Sequence, residues 1–160
     1  MRYICNNGKL SKKNNSEKII YACDSFEGFN KEEIIKEKEK RLTEASEDAF
    51  TYTSYDYIVK KRLKLDRQIM PVKGFFHNTL SHIHSKFSLA LIDADLEVSI
   101  SQAAESVWPK LSSGGVMLFD EYDNRWYKGA KIAIDRFVSE FESEFEEHYM
   151  MKRLYYLKKK

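Results

Sequence analysis

The stretch that decides the fold is FSLALIDADLE, Phe87–Glu97, together with GGVMLFDEY, Gly114–Tyr122. Each segment contains a short, continuous apolar run that ends in acidic residues. Continuous apolar character is typical of strands buried on both faces, as in a parallel sheet covered by helices. A third run of this kind, IIYACD, covers Ile19–Asp24. The sequence therefore predicts an α/β fold with three buried strands, each ending at an acid.

Helical patterns lie between and after these runs. Apolar residues recur with a spacing near 3.6 over Ile100–Leu111, and again over Ala130–Phe141. Alternation of strands and helices favours the α/β class. A fourth strand is predicted at Gln68–Lys73, where Pro71 is unfavourable because proline cannot donate a ladder hydrogen bond. The end, His148–Leu157, is predicted to form a hairpin or an antiparallel edge.

The segment Lys31–Lys64 has a different character, because it is crowded with Lys and Glu. Its apolar positions form only a thin stripe: Ile34, Ile35, Leu42 and Ala45. We interpret it as one or two solvated, loosely docked surface helices, with a lid over a substrate pocket as the alternative. We expect residues 1–160 to form a single domain in which this segment is a charged helical insertion.

Charge and apolar content exclude several classes of partner. The chain has 160 residues, with 27 Lys and Arg against 25 Asp and Glu. Nucleic acids require a basic surface that this balance does not provide, so Lys158–Lys160 is interpreted as a solvated tail. The apolar runs are far shorter than the roughly 20 residues that span a bilayer. With no signal peptide recognisable, we expect a cytoplasmic protein without nucleic-acid or membrane partners.

Cysteine, histidine and glycine patterns exclude further sites. Cys5 and Cys23 are too few for a disulfide scaffold, and Cys23 is interpreted as a small buried hydrophobic residue. No two glycines are separated by a single residue, which excludes a GxGxxG fingerprint. The pair Gly114-Gly115 is predicted to end a helix and make a tight turn. His82 and His84 lack the further ligands of a zinc site.

Acids follow all three buried strands, at Asp24, Asp93 and Asp120. In an open α/β sheet, ligands bind at the carboxyl ends of the strands, so these side chains should converge. Asp93 and Asp95 are two residues apart on an extended segment and point the same way, and Glu121 follows Asp120. A hard cation such as Mg²⁺, Ca²⁺ or Mn²⁺ would relieve their repulsion. The alternative is that the acids cap the following helices, as Asp95 could do.

Several segments resemble, in the same order, those of the TylF-like (macrocin) O-methyltransferases. Two of them lie near the first strands: DSFEGF at Asp24–Phe29 resembles a DSFEGLP-type segment, and KGFFHNTL at Lys73–Leu80 resembles kGxFxdTL. The family's DxDLYxS…yPkLxxGGxxxxDDY block is similar to three segments: Ile92–Leu96, Trp108–Leu111 and Gly114–Tyr122. Two final matches are Gly129–Phe137, with a GakkAvdeF helix, and Tyr155–Lys158, with the last strand.

The resemblance implies a class I methyltransferase fold, with a Rossmann-like, mostly parallel sheet. It also implies transfer of a methyl group from S-adenosylmethionine to a hydroxyl of a sugar or glycosylated small molecule, with Mg²⁺ at the strand ends. By this resemblance the cofactor-binding residues would be Asp24 at the ribose, Ser25 and Phe26 beside it, Gly74 and Phe75 at the adenine, and Asp93. The metal ligands would be Asp93, Asp120 and Glu121, and Asp95 would be the general base.

The sequence departs from the family pattern in three places. Glu121 stands where the family has a second aspartate, and Glu97 stands where it has a tyrosine. The family also begins with a strand and a glycine-rich loop, whereas this sequence opens at Met1 with what resembles the end of the following helix. We therefore expect an N-terminally incomplete domain that lacks the first strand. An unpaired sheet edge of that kind would favour a homo-oligomer.

Two other functions are consistent with parts of the sequence. The DAD of Asp93–Asp95 also resembles the DxD motif with which nucleotide-sugar glycosyltransferases bind a metal. A non-catalytic methyltransferase remnant that acts as an interaction module is the second alternative, because the glycine loop is missing.

Overall fold

The computed structural model describes residues 18–52, 54–65 and 68–160. The expectations for Cys5 and for the segment that opens at Met1 lie outside these residues. The described strands are β1 Ile20–Asp24, β2 Ile69–Lys73, β3 Phe87–Ile92, β4 Leu111–Phe119, β5 Phe145–Met151 and β6 Leu154–Lys159. The described α-helices are α1 Lys31–Glu39, α2 Tyr55–Leu65, α3 Phe76–Thr79, α4 Glu97–Val107 and α5 Lys128–Phe141.

The described strands form two sheets. In the first, β1 and β2 pair in parallel, and Pro71 lies opposite Ala22. The second has the order β3-β4-β6-β5, in which β3 and β4 are parallel while β6 is antiparallel to both β4 and β5. The predicted α/β class is thus confirmed, as are the fourth strand and the terminal hairpin.

The core lies between the second sheet and the helices α4 and α5. Periodic apolar positions of both helices face it, which confirms the two helices predicted from their spacing. The end predicted for the first was wrong, because α4 ends at Val107 and Leu111 begins β4. The buried positions include Ile100, Ala104, Ala133, Ile134 and Phe137. They cover Met117 and Phe119 on β4, which have no exposed surface. Burial of each large apolar side chain stabilises the fold by about 1.5–3 kcal/mol.

Gly114 and Lys159 do not lie where the sequence predicted. Helix α4 ends at Val107, so Gly114 is not at its C-terminus but inside β4, with φ of 71°, near a register shift between β3 and β4. Lys159 belongs to β6 and is not in a solvated tail. Its Nζ donates to the Trp108 carbonyl oxygen at 2.9 Å and lies 4.7 Å from the centroid of the Trp108 ring. Pairing of Lys159 with Phe145 on β5 holds the lysine there.

The charged segment is docked more closely than predicted. It contains α1 and α2, which agrees with the expected helices. On α1, Ile34 has no exposed surface and Glu37 is 2% exposed, whereas Ile35 is 42% exposed. Loose docking was therefore wrong for α1, because one apolar and one acidic side chain enter the interior from the same helix face.

None of the described helices combines the length and the apolar character that crossing a membrane would require.

Candidate functional site

The structure brings the predicted acids together at the carboxyl ends of the strands. Backbone hydrogen bonds fix the strand ends: Asp120 N donates to the Ile92 carbonyl oxygen at 2.9 Å, and Gly74 N donates to the Asp24 carbonyl oxygen at 2.9 Å. Carboxylate oxygens of Asp93, Asp120 and Glu121 lie within 4.8 Å of one another. We call these three residues the acid cluster.

The acid cluster fits a divalent cation. Its donors are all carboxylate oxygens, which suit Mg²⁺, Ca²⁺ or Mn²⁺. Asp120 is 5% exposed, and its Oδ1 accepts a hydrogen bond of 3.0 Å from Glu121 N. Glu121 has a left-handed backbone, with φ of 65°, and its carboxylate accepts a hydrogen bond from the Asn124 amide. The longer glutamate side chain is thus still held within the cluster.

Asp95 lies beside the cluster in a strongly acidic setting. Burial raises its pKa to about 7, and the negative charges of Glu121 and Asp93 add to the effect. Asp95 does not cap α4, which contradicts the alternative reading of this residue. The N-terminal position of α4 is Leu96, without a side-chain cap. Instead the Glu37 carboxylate accepts a hydrogen bond from Glu97 N, at the start of α4.

A cleft lies between the two sheets and joins most of the predicted site residues. From the first sheet and its loops it is lined by Asp24, Ser25, Gly74 and Phe75. From the second it is lined by Asp93 and Asp95. Phe26 was expected beside the cofactor, but the described lining does not include it. Its side chain is buried and packs edge-on against Tyr55, with ring centroids 5.2 Å apart.

Local hydrogen bonds and two glycines shape the first-sheet side of the cleft. The Asp24 carboxylate accepts a hydrogen bond from Phe26 N, and burial raises the pKa of Asp24. Ser25 Oγ donates to the Gly28 carbonyl oxygen at 2.7 Å. Gly28 has φ of 86°, and a Cβ there would lie 2.6 Å from the Ala49 carbonyl oxygen. Gly74 has φ of 139°. Both positions therefore favour glycine.

The charged segment supplies a wall of the same cleft. Its contribution comes from Glu33 and Phe50, and the preceding residues Phe29 and Asn30 adjoin them. The Phe29 ring lies 5.2 Å from that of Phe50 and 6.3 Å from that of Tyr127. Burial, then the charges of Asp95 and Glu121, raise the pKa of Tyr127 to about 12. The sequence offered a lid over a pocket as the alternative reading of this segment, and the wall resembles that alternative.

Two residues that contact the site or the helix beside it were not predicted from the sequence. Glu37 accepts a hydrogen bond from Glu97 N, which is 60 positions away in the sequence. It also stands in a segment that contains many other Lys and Glu residues. Arg153 donates to Asp120 across 33 positions. The sequence offered no signal for either contact, because both depend on tertiary packing and not on local spacing.

The model of the macrocin-O-methyltransferase (TylF) family matches residues 2–147. The search of curated proteins gave no match.

Solved structures share the fold at low sequence identity. The O-methyltransferase NovP has a TM-score of 0.76 and 18% identity, over 95% of this chain and 64% of NovP. The calicheamicin methyltransferase CalS11 has a TM-score of 0.68 and 19% identity, over 88% of this chain and 60% of CalS11.

A third structure, MycE from the mycinamycin pathway with Mg and SAH, has a TM-score of 0.50 and 9% identity, over 96% of this chain and 48% of MycE. The chain thus spans less than two thirds of the length of each of these proteins. The resemblance found in the sequence is confirmed, and the chain belongs to the macrocin-O-methyltransferase (TylF) family.

Proposed function

We propose that the protein is an S-adenosylmethionine-dependent O-methyltransferase that uses a divalent cation and acts on a hydroxyl of a sugar or glycosylated small molecule. The observation that carries this proposal is the cleft that Asp24 and Gly74 line together with Asp93 and Asp95. Family membership supports the methyl transfer. CalS11, which shares the fold, is a TDP-rhamnose 3'-O-methyltransferase, and MycE was solved with Mg and SAH.

The first-sheet side of the cleft would bind the cofactor, which supplies a methyl group on a sulfonium when bound. Asp24 would accept hydrogen bonds from the ribose hydroxyls, since its carboxylate lines the cleft. Ser25 lies beside it, and the Phe75 ring next to Gly74 would border the adenine. Asp93 would close the cofactor side at the end of β3. Phe26 would act only through its backbone N–H, which holds the Asp24 carboxylate.

The second-sheet side would activate the acceptor. Asp93, Asp120 and Glu121 would hold the cation, which lowers the pKa of a hydroxyl close to it. A carboxylate oxygen of Asp95 would accept the hydroxyl proton, because Asp95 lines the same cleft. Positioning of the hydroxyl in line with the methyl group would supply most of the rate enhancement.

We also propose that residues 1–160 belong to one domain and that the charged segment contributes the acceptor wall of its cleft. Within the described residues, β1 pairs only with β2, and β3 pairs only with β4. The other edges of β1 and β3 would accommodate the further parallel strand that is expected between them, or a second copy of the chain.

Methyl transfer itself tests the proposed activity. Labelled S-adenosylmethionine is incubated with the protein and a panel of nucleotide sugars and glycosylated natural products, with Mg²⁺ or with EDTA. We expect label in at least one acceptor with Mg²⁺, and loss of at least about a hundredfold in rate with EDTA or in Asp95→Asn. Undiminished transfer with EDTA would contradict the role of the cation.

Other outcomes of this assay decide between the alternatives. Cofactor binding without transfer to any glycosylated acceptor would contradict the acceptor class. Stabilisation by a UDP-sugar and Mn²⁺, with no effect of S-adenosylhomocysteine, would instead support the glycosyltransferase alternative. An interaction module would show neither response.

A further inference from the structure

Arg153 places a positive charge against the acid cluster from a separate part of the fold. It lies in the two-residue turn between β5 and β6, which the paired residues Met151 and Leu154 close. Its Nη2 donates to Asp120 Oδ2 at 2.7 Å. The side chain of Arg153 is 62% exposed, whereas that of Asp120 is 7% exposed. The exposed partner can therefore leave the ion pair, and the buried partner cannot.

Asp120 needs a counter-charge because it is buried next to other acids. An unpaired buried carboxylate is strongly unfavourable. Glu121 N donates to Asp120 Oδ1, and the positively charged Arg153 guanidinium donates to its Oδ2. A divalent cation held by Asp93, Asp120 and Glu121 would satisfy the same carboxylate. Cation and guanidinium would then compete for Asp120.

We propose that Arg153 is a built-in counter-ion of Asp120 that a divalent cation displaces, so that this residue weakens and thereby sets the cation affinity of the acid cluster. The inference rests on the proposed cation site. With the cation bound, the guanidinium moves into water at small cost, since most of its side chain is already exposed. Without the cation, Arg153 keeps the buried carboxylate paired.

Binding of Mn²⁺ tests this inference directly. Isothermal titration of Mn²⁺ is compared between the wild type, Arg153→Met and Lys152→Met. Lys152 is the matched control, since it lies in the same turn but has no described ion pair with Asp120. We expect Arg153→Met to bind Mn²⁺ roughly threefold to tenfold more tightly than the wild type, as for loss of one competing ion pair. Lys152→Met should stay within about twofold of the wild type.

A charge-conserving variant and a stability measurement complete the test. Arg153→Lys should lie closer to the wild type than Arg153→Met does. In EDTA, Arg153→Met should lower the melting temperature, and saturating Mn²⁺ should raise it by more than in the wild type. In an Asp120→Asn background, Arg153→Met should no longer change the melting temperature, because the two residues act as a pair.

If the wild type binds Mn²⁺ and Arg153→Met binds it equally or more weakly, the inference is overturned. The proposed cation site would still hold in that case. Binding by neither protein would overturn both proposals together. A melting temperature that falls equally in the wild-type and Asp120→Asn backgrounds would also contradict the inference, because Arg153 would then act through another contact.

Discussion

Glu37 is a buried carboxylate at the N-terminus of α4. It is 2% exposed, and its carboxylate accepts a hydrogen bond from Glu97 N. Glu37 Oε2 has no hydrogen-bond partner among the described residues. Burial, opposed by the Glu97 hydrogen bond, raises the pKa of Glu37 from 4.5 to about 7, with Glu97, Lys40 and Glu33 as its charged neighbours. The fold therefore favours the protonated form of this side chain.

This pKa predicts a specific pH dependence for Glu37→Gln. Between the unfolded pKa of 4.5 and the folded pKa of about 7, the folded state binds more protons, so stability falls as pH rises. Glutamine removes this loss and keeps an oxygen for Glu97 N. We expect the wild type to lose about 3 kcal/mol relative to the variant over this range, measured by urea unfolding at each pH.

The control for this experiment is Glu39→Gln, an exposed acid on the same helix. Its stability curve should run parallel to that of the wild type. A Glu37→Gln curve that also runs parallel to the wild type would contradict the buried, protonated state of Glu37.

At the residue scale, the sequence predicted groups whose place follows from strand ends. Asp24, Asp93 and Asp120 were predicted to converge because each follows an apolar run, and the structure places them along the cleft and the acid cluster. The expected burial on both faces was wrong for β3, where Leu89 is 48% exposed. Glu37 and Arg153 were not predicted. Both act on partners far away in sequence, and neither lies at a position that any local pattern marks.

The loop after β1 connects the cofactor side of the cleft to the charged segment. The two pack closely at Gly28, where only a residue without a side chain fits. A Cβ there would lie 2.6 Å from the Ala49 carbonyl oxygen and 3.0 Å from Thr51 Cγ2. Close approach at Gly28 thus holds the middle of the charged segment against the cleft.

Gly28→Ala should destabilise the protein by about 1–3 kcal/mol, since it adds a clash with backbone to a left-handed φ. Gly114→Ala is the matched control, because Gly114 has φ of 71° but no atom within 4 Å of an added Cβ. We expect it to show the backbone strain alone, about 1–2 kcal/mol, and so a smaller loss. Urea unfolding measures both. Equal losses would contradict the close packing at Gly28.

At the element scale, apolar runs predicted most strands of the second sheet, and helical periodicity predicted the two helices that pack against it. The helix α5 follows its predicted positions because Ala133, Ile134 and Phe137 repeat on one face. The docking of α1 was misjudged, since Ile34 is its main buried apolar residue. Its other contacts to α4 include hydrogen bonds that the carboxylates of Glu33 and Glu37 accept. Apolar periodicity does not detect a helix that docks through a buried acid.

At the scale of the whole molecule, the cleft lies where two sheets meet. Asp24 and Gly74 come from β1, β2 and their loops, whereas Asp93 and Asp95 follow β3. The sequence predicted one converging edge, because the ends of parallel strands lie together. It offered only as an alternative that the charged segment would cover the cleft, since that depends on the packing of Phe29, Phe50 and Tyr127.

Binding of S-adenosylhomocysteine by the natural protein in its full length is the most direct measurement of the proposed site. Isothermal titration compares the wild type with Asp24→Asn, and with Asp123→Asn, an exposed acid, as the control. We expect saturable one-site binding by the wild type and by Asp123→Asn. Asp24→Asn should bind at least about tenfold more weakly, because it loses the charge that accepts the ribose hydroxyls. No binding by the wild type, or equal binding by Asp24→Asn, would contradict a cofactor site at the end of β1.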